Sequence, residues 1–255
     1  MEWFTRAYAA LLLLGQVLTH LFTRRLNVRN TLEQFAIVGT ESVGIAVITA
    51  IFVSMVFSVQ VTREFISFGA SSAIGGVLAI ALVRELAPVL TAVILAGRVG
   101  SAFAAEIGTM RVTEQIDALQ VLQADPVDYL VVPRVIACTV MLPVLTLLAE
   151  VTGIMGGLFI TTQVYGLTSD LYIDSAQRLL NTWDIVSSLI KSAAFGLLIA
   201  VIGSGWGLTT EGGAKGVGRS ATTAVVTSLM AIFVVNFFLS FLMFQGEGTA
   251  LQNGL

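Results

Sequence analysis

The chain has 255 residues, of which 56% are hydrophobic and only 11% are charged. Its mean hydropathy of +0.91 lies far from the balance of a soluble globular domain and predicts an integral membrane protein. The net charge of -3, with dispersed basic residues, gives no support for a nucleic-acid-binding function. The single cysteine, Cys138, excludes a disulfide bond within the chain.

Residues 1–30 begin with an apolar run that ends in two arginines, MEWFTRAYAALLLLGQVLTHLFTRR. A secretory signal has a similar order, but a convincing small-residue cleavage site is missing. We therefore expect an amphipathic interfacial helix with its basic end at the lipid headgroups. His20, the only histidine, then lies at the interface rather than in a proton relay. A cleaved segment or a spanning helix is the alternative.

Long apolar windows recur along residues 31–255, whereas the alternating pattern of a membrane β-barrel is missing. The predicted fold class is therefore an all-α integral membrane protein, with five transmembrane helices in one domain. The five spans cover about residues 36–60, 73–100, 135–165, 185–207 and 221–245.

The lysine and arginine residues that flank the spans predict the orientation of the chain. With a cytoplasmic N-terminus, only Arg63 and Arg178 lie on the external side. The C-terminus is then external, and the link between the second and third spans is cytoplasmic. Eight basic residues lie on the cytoplasmic side: Arg6, Arg24, Arg25, Arg29, Arg111, Arg134, Lys215 and Arg219.

The second span carries charges within an apolar sequence, RELAPVLTAVILAGRVG, which begins at Arg84. A charged side chain at the centre of a spanning helix costs about 2.5–3.5 kcal/mol on insertion scales. Arg84 and Glu85 point about 100° apart, so each needs a partner or water elsewhere. Pro88 offers no N–H to the carbonyl of Arg84 and is expected to loosen the helix. We assign Arg84, Glu85, Pro88 and Arg98 to a substrate cavity.

A structural role is the alternative for these charges, since pairing with Glu150 and Lys191 on neighbouring spans would fix the bundle. If the second helix continues to Glu106, then Arg84, Arg98 and Glu106 fall within about 80° on one face. Small residues near the lower half of that helix would let neighbouring helices pack closely in lipid. We assign to this structural group Gly97, Gly100, Ser101, Glu106 and Gly108.

The link between the second and third spans, about residues 109–133, is expected to contain two short capped helices. Thr113 is the expected N-cap of the first helix, with Ile116, Leu119 and Leu122 on its apolar side. Asp125 is the expected N-cap of the second helix and is followed by a proline. An interfacial helix on the headgroups is the alternative. Its polar side, however, offers acidic residues where an anionic leaflet favours basic ones, so a protein partner fits better.

Motifs for bond chemistry are missing from the sequence. The glycine-rich EGGAKGVGRS lacks the GxxxxGK[ST] order of a nucleotide-binding loop, so ATP is expected to be hydrolysed elsewhere. HExxH, GxSxG and clustered cysteine and histidine are also missing, and we expect neither a metal site nor a catalytic residue. An intramembrane acyl-transfer or cleavage enzyme would need a nucleophile and base within the spans.

The run LVRELAPVLTAVILAGRVGSAFAAEIGTMRVTEQIDALQVLQADPVDYLVVPR, which begins at Leu82, closely resembles the MlaE/YrbE permease family. Members of this family are membrane subunits of ABC transporters that work with MCE proteins. The later run GVGRSATTAVVTSLMAIFVVNFFL is similar to the entry into the family's last span. The resemblance extends from about residue 36 onward, and the linker and tail are most similar to cyanobacterial and chloroplast members.

The resemblance implies a homodimer of five-span permeases, with two cytoplasmic ATPase subunits on one side and an MCE-domain assembly on the other. ATP and Mg would be bound by the ATPase, so this chain is expected to hold no cofactor. Arg84 and Glu85 would lie in the outer part of the dimer cavity, where lipid headgroups pass. A cytoplasmic coupling helix between the second and third spans would contact the ATPase through Glu114, Gln115, Ile116, Asp117 and Leu119.

The function implied is a permease subunit that moves phospholipids or related lipids between the membrane and an MCE-domain partner. Such a subunit is a transporter component rather than an enzyme, and it would lie in a bacterial inner membrane or the chloroplast inner envelope. The alternative is an ion- or proton-coupled secondary transporter that uses Glu85, Glu106 and Glu150 as carriers. That alternative needs no ATPase, so copurification of a nucleotide-binding subunit distinguishes the two.

Overall fold

The computed structural model describes residues 2–23 and 28–244, and within these ranges the chain forms helices and no strand. The predicted all-α class and the five spans are confirmed. Five helices are long and apolar enough to cross a membrane: α2 (Val28–Ser67), α3 (Ser71–Val112), α5 (Val127–Gln163), α7 (Thr182–Leu208) and α8 (Gly213–Phe244). The other helices are α1 (Glu2–Thr23), α4 (Gln115–Val121) and α6 (Ser169–Leu179).

The spanning helices extend beyond the predicted spans. The second, α3, has 42 residues and continues to Val112 rather than ending near residue 100. At about 1.5 Å per residue it is roughly twice as long as the ~30 Å hydrocarbon core of a bilayer is thick. Arg98 and Glu106 therefore lie on one continuous helix with Arg84. The basic end predicted for α1, at Arg24 and Arg25, lies outside the described residues.

Proline widens α3 without ending it. A π-helical turn precedes Pro88, and the missing N–H leaves the carbonyl of Arg84 without its usual helical partner. Lys191 of α7 donates to that carbonyl at 2.8 Å. The expected loosening at Pro88 is thus a local π turn whose open carbonyl is satisfied by a neighbouring helix. The described spans contain four such turns: Ala36–Thr40, Leu82–Leu86, Ala96–Gly100 and Val127–Val131.

The helix α5 lies at the centre of the bundle, packed against α2 on one side and α7 on the other. A Cβ added to Gly156 would lie 3.0 Å from the carbonyl oxygen of Ile51, so glycine lets the α2 backbone approach closely. Ser54 donates to the carbonyl of Gly153 at 2.6 Å across the same interface. In contrast, α8 lies at the edge: 17% of its most apolar window is buried, against 61% for α5, so most of α8 faces lipid or another chain.

Helix α6 closes one end of the bundle, in the link between the third and fourth spanning helices. Its Tyr172 and Ser175 pack against Gly75 and Gly76 at the start of α3. The N–H of Gly76 donates to the hydroxyl of Ser175 at 3.0 Å. Burial raises the pKa of Tyr172 to about 12. We call this the α6 end of the bundle.

Helix α1 crosses the opposite end, which we call the link end because residues 113–126 lie there. Ala10 packs on Gly205, near the end of α7, and His20 hydrogen-bonds to Asp128, near the start of α5. Both partners belong to the ends of spanning helices next to the link. The helix predicted for the N-terminal segment is therefore present and lies across the bundle. Its placement at a membrane surface stays a prediction.

Candidate functional site

Two ion pairs join α3 to α7 near the α6 end of the bundle. Arg84 Nε lies 2.6 Å from Asp184 Oδ1, and Lys191 Nζ lies 2.9 Å from Glu85 Oε1. Arg84 and Glu85 are adjacent in sequence and reach different turns of α7, in keeping with their different directions on α3. Each charge therefore has a partner on a neighbouring span.

The N-terminus of α7 positions Asp184. The backbone N–H of Asn181 donates to Asp184 Oδ2 at 2.8 Å, and the Asn181 side chain accepts from the N–H of Asp184. This reciprocal capping box satisfies two N–H groups that the helix start leaves open. The second carboxylate oxygen of Asp184 remains for Arg84. Asp184 is not among the predicted site residues, although NTWD before an apolar run carries the signal of an acidic capping box.

Lys191 is fully used as a donor. Its ammonium group has three N–H bonds, and they reach Glu85 Oε1 at 2.9 Å, the hydroxyl of Ser240 at 2.8 Å and the carbonyl of Arg84 at 2.8 Å. The Lys191 side chain is 0% exposed, so these contacts replace all of its hydration. A buried cation with three such partners is firmly placed.

Helix α8 completes the site around Glu85. Ser240 donates to Glu85 Oε1 at 2.8 Å, and the Asn236 side chain donates to Oε2 at 2.9 Å. Arg84 and Lys191 also lie near the ring of Phe244, at 4.4 and 5.5 Å from its centre. We call the following residues the polar cluster: Arg84, Glu85, Asp184, Lys191, Asn236 and Ser240.

The polar cluster is sealed on the α7 side and open on the side of Glu85. Asp184 and Lys191 are fully buried, whereas the side chain of Glu85 is 42% exposed. Arg84 is partly exposed beside it. Glu85 and Arg84 therefore lie on the partly exposed side of the cluster, while the buried partners hold both in place.

Arg98 does not join this cluster. It faces α2, where it pairs with Glu41 and donates to the hydroxyl of Ser42 at 2.6 Å and the carbonyl of Ile37 at 3.1 Å. The carbonyl belongs to the first π turn of α2. The four residues assigned to one cavity thus separate into Arg84, Glu85 and Pro88 at one level and Arg98 at another.

Glu106 faces a third helix, because it pairs with Arg134 of α5 at 2.8 Å. Arg134 is buried, lies 5.3 Å from the ring centre of Phe103 and donates to the carbonyl of Leu130 at 2.6 Å. Arg84 and Glu85 therefore contact α7, Arg98 contacts α2 and Glu106 contacts α5. The structure does not place these charges on one face of α3. Each π turn adds about one residue to a helical turn and rotates the residues that follow by roughly 100°.

The small residues of α3 differ in whether they contact a neighbouring part of the chain. A Cβ on Gly100 would lie 3.2 Å from Ile199, and one on Gly108 would lie 2.8 Å from the hydroxyl of Thr210, so both allow close packing against the end of α7. Gly97 faces outward and has no described neighbour within 4 Å of an added Cβ. Ser101 donates back to the Gly97 carbonyl at 2.5 Å. Gly97 therefore makes no close helix contact within the described chain.

The link carries one short helix that begins later than expected. Thr113 donates to the carbonyl of Thr109 at 2.8 Å and thus ends α3, so the prediction that it caps α4 is wrong. Glu114 precedes α4 with a positive φ of 61°, which separates the two helices. The second short helix expected in the link is absent from the described chain: Asp125 Oδ1 accepts the N–H of Val127 at 2.9 Å, and Val127 begins the spanning helix α5.

The apolar side of α4 packs on its own chain. Ile116 is buried beside Ile107 and Leu130, with Leu119 partly buried at the edge of the same group. The exposed apolar side chains lie at the end of α4, where Val121 is 83% exposed and Leu122 is 77% exposed. The polar positions assigned to partner contact, Glu114, Gln115 and Asp117, are exposed as well.

Comparisons with known proteins agree with this architecture. A family model described as Permease MlaE matches residues 31–242. A probable ABC transporter permease protein of Synechocystis sp. is 62% identical over 250 residues, which cover 98% of this chain and 95% of that protein. Protein TRIGALACTOSYLDIACYLGLYCEROL 1, chloroplastic, of Arabidopsis thaliana is 48% identical over 252 residues, covering 99% and 72%. A probable ABC transporter permease protein of Rickettsia typhi is 40% identical over 214 residues, covering 84% and 83%.

Proposed function

The chain belongs to the MlaE permease family, and from this premise we propose that it is the membrane subunit of an ATP-driven transporter for phospholipids or related lipids. Two copies form the transport cavity, ATPase subunits bind at the link end, and an MCE-domain partner exchanges lipid at the α6 end. The chain performs no bond chemistry, because ATP and Mg are bound by the ATPase. In this proposal the link end is cytoplasmic, in a bacterial inner membrane or its chloroplast envelope equivalent.

One observation carries the substrate assignment: a charged cluster stays half open within an apolar bundle. A lipid headgroup needs polar partners at the same place where its acyl chains need an apolar wall. Glu85 is 42% exposed, and Arg84 beside it supplies a guanidinium, the group that recognises phosphate most readily. Exposed apolar side chains follow on α8 from the same region, which suits acyl chains or a second copy: Met230, Phe233, Phe237 and Phe241.

The secondary-transporter alternative requires carboxylates that pass a proton or ion from one to the next. Glu85 is bound to Lys191, Glu106 pairs with Arg134, and Glu150 accepts from the hydroxyl of Ser188 at 2.5 Å. The three carboxylates thus have three separate sets of partners on different parts of the bundle. This arrangement favours positioning roles over a relay.

Transport by the purified complex tests the proposal. The chain, with its copurified subunits, is reconstituted in vesicles, and movement of a fluorescent phospholipid is followed with and without ATP. We expect ATP-dependent transfer that a proton ionophore does not abolish, and a loss of roughly tenfold or more in Arg84→Ala, equivalent to about 1.4 kcal/mol or more. Arg63→Ala, which removes another arginine from the exposed surface, is the matched control.

Two results would contradict the proposal in different ways. Transfer that needs a proton gradient but no ATP would support the secondary transporter. Unchanged ATP-dependent transfer in both Arg84→Ala and Glu85→Ala would remove the polar cluster from the transport path while leaving the transporter class intact.

Docking of the ATPase is tested at the exposed end of α4. We expect Val121→Asp with Leu122→Asp to reduce copurification of the ATPase several-fold, because charge replaces the apolar tip that a partner would cover. Val164→Asp, at an exposed position beyond α5, is the control. Ile116→Asp is less informative, since it breaks the internal packing of the link. Full copurification of the ATPase with the double variant would show that the tip is not the docking surface.

A further inference from the structure

A groove at the link end, between α1 and α8, is basic at its mouth. A cavity of about 310 Å³ is lined there by Arg6, Lys215 and Arg219, together with Glu211 and Ser220. Three cations against one carboxylate leave a net positive lining. Within the described chain, none of the three cations forms an ion pair, and Arg6 donates only to the hydroxyl of Ser220, at 3.4 Å. The mouth therefore attracts an anion from outside the protein.

An apolar cavity lies further along the same two helices. This second cavity, of about 220 Å³, includes Ala10, which follows Arg6 by one turn of α1, and Ala231, which follows Ser220 by three turns of α8. Its remaining lining is almost entirely aliphatic or aromatic. An apolar cavity of about 150 Å³ in an engineered protein stays dry and binds benzene, so this one has room for a segment of hydrocarbon chain. It is lined also by Leu14, Leu198, Val201, Ile202, Trp206 and Thr227.

Trp206 lines the apolar cavity and has an indole N–H without a hydrogen-bond partner among the described residues. Its side chain is completely buried. A buried donor without a partner is unfavourable, so such groups normally form a hydrogen bond. Of the α7 residues that line the apolar cavity, Trp206 is the nearest to the link end, where the basic cavity lies. An ester carbonyl of a glycerolipid lies at the corresponding place, between its headgroup and its acyl chains.

We propose that this groove binds a glycerolipid with an anionic headgroup. The headgroup contacts Arg6, Lys215 and Arg219, an ester carbonyl accepts from Trp206, and one acyl chain fills the apolar cavity. Because the groove is built from α1 on one side and α8 on the other, the lipid holds α1 against the bundle. This site is separate from the polar cluster at the α6 end, and it requires only that the chain lies in a bilayer, whether or not lipid is transported.

Fluorescence of Trp206 tests the proposal directly. In a Trp3→Phe, Trp183→Phe background, Trp206 is the only tryptophan, and its burial shields it from bulk lipid. The protein is placed in phosphatidylcholine membranes to which acyl-brominated phosphatidylglycerol or phosphatidylcholine is added at equal mole fraction. We expect the anionic lipid to quench Trp206 at a concentration at least fivefold lower, since nearby basic residues favour anionic lipids.

Charge and headgroup controls identify the ligand. Lys215→Gln with Arg219→Gln is expected to raise the half-quenching concentration of the brominated phosphatidylglycerol roughly tenfold. Arg63→Gln with Arg178→Gln removes the same charge elsewhere and leaves quenching unchanged. Inorganic phosphate and glycerol 3-phosphate are added at about ten times the lipid concentration. We expect that they do not compete with the brominated phosphatidylglycerol, because they lack the acyl chain.

Several outcomes overturn the proposal. Equal quenching by both brominated lipids, or quenching that survives neutralisation of Lys215 and Arg219, shows a groove without headgroup selection. Competition by free phosphate shows a simple anion site. If the Trp3→Phe, Trp183→Phe protein keeps its helical circular dichroism and its elution volume but shows no quenching, no acyl chain reaches Trp206. ATP-dependent transfer by the same preparation reports on the transport proposal separately.

Discussion

At Leu82–Leu86 the helix α3 directs its charges towards α7, whereas at Ala96–Gly100 it directs Arg98 towards α2. Both sites lie on π turns of one helix, and both place charge among apolar residues. At the first site the cation that pairs with α3, Lys191, is 0% exposed and uses all three of its donors. At the second site Arg98 is 30% exposed, and its partner Glu41 is more exposed still.

The comparison shows that residue type alone does not indicate how much a charged side chain in an apolar span contributes to stability. A fully buried ion such as Lys191 has exchanged all of its hydration for protein partners, so disrupting its pair is costly. An exposed pair regains water or headgroup contacts and contributes little. Arg84 and Arg98 both occur within apolar sequence and are equivalent in sequence terms. Their different surroundings come from the neighbouring helices.

The largest effect is expected when Lys191 is removed. Lys191→Ala leaves Glu85 without its cation and the carbonyl of Arg84 without its donor. Breaking a fully buried pair costs about 3–5 kcal/mol. Because the Glu85 side chain is 42% exposed and can regain water, we expect the lower end of this range, and a fall in melting temperature of roughly 6–12 °C. Thermal unfolding of the purified protein in detergent measures the shift.

A paired replacement sharpens this prediction. Glu85→Leu with Lys191→Met removes both charges, and we expect it to restore most of the lost stability, because apolar residues can replace a buried pair. Lipid transfer is expected to stay low in the double variant. If the single variant Lys191→Ala melts at the wild-type temperature, the cluster does not stabilise the bundle. If the double variant transports lipid normally, the cluster has no role beyond stability.

A smaller effect is expected at the second π turn. Arg98→Ala removes an exposed ion pair and hydrogen bonds to Ser42 and Ile37, which together contribute about 1–2 kcal/mol. The melting temperature should fall by roughly 2–6 °C. Since salt screens exposed pairs, part of the wild-type advantage should disappear at high ionic strength. A loss as large as that of Lys191→Ala would contradict the difference between the two sites.

The sequence predicts which charged residues require partners better than it predicts which residues those partners are. Arg84 and Glu85 require separate partners because adjacent helical positions diverge, and the structure provides them. Lys191 was named as a possible partner, but Asp184 was not, because only the capping box at the start of α7 turns its carboxylate towards α3. Helix α6 was missed, since its short amphipathic pattern is interrupted by aspartates and only packing on α3 makes it favourable.

The link illustrates the same limit. The spacing of Ile116 and Leu119 correctly indicated an apolar side, and Asp125 correctly marked a helix start. The sequence did not reveal that this apolar side packs on Ile107 and leaves Leu122 as the exposed tip. Apolar residues show the same preference for any apolar surface, so a pattern alone does not distinguish a partner from the rest of the chain.

By itself the sequence determined that this is an integral membrane protein with five spanning helices, and it determined the positions where charge must be compensated. These properties follow from local composition, because a bilayer accepts a helix only when its apolar length is sufficient and its polar groups are satisfied. Tertiary structure alone decided which helices supply the compensation and where α3 changes register. The energies of π turns, ion pairs and close glycine contacts depend on atoms distant in sequence, and only the packed bundle brings them together.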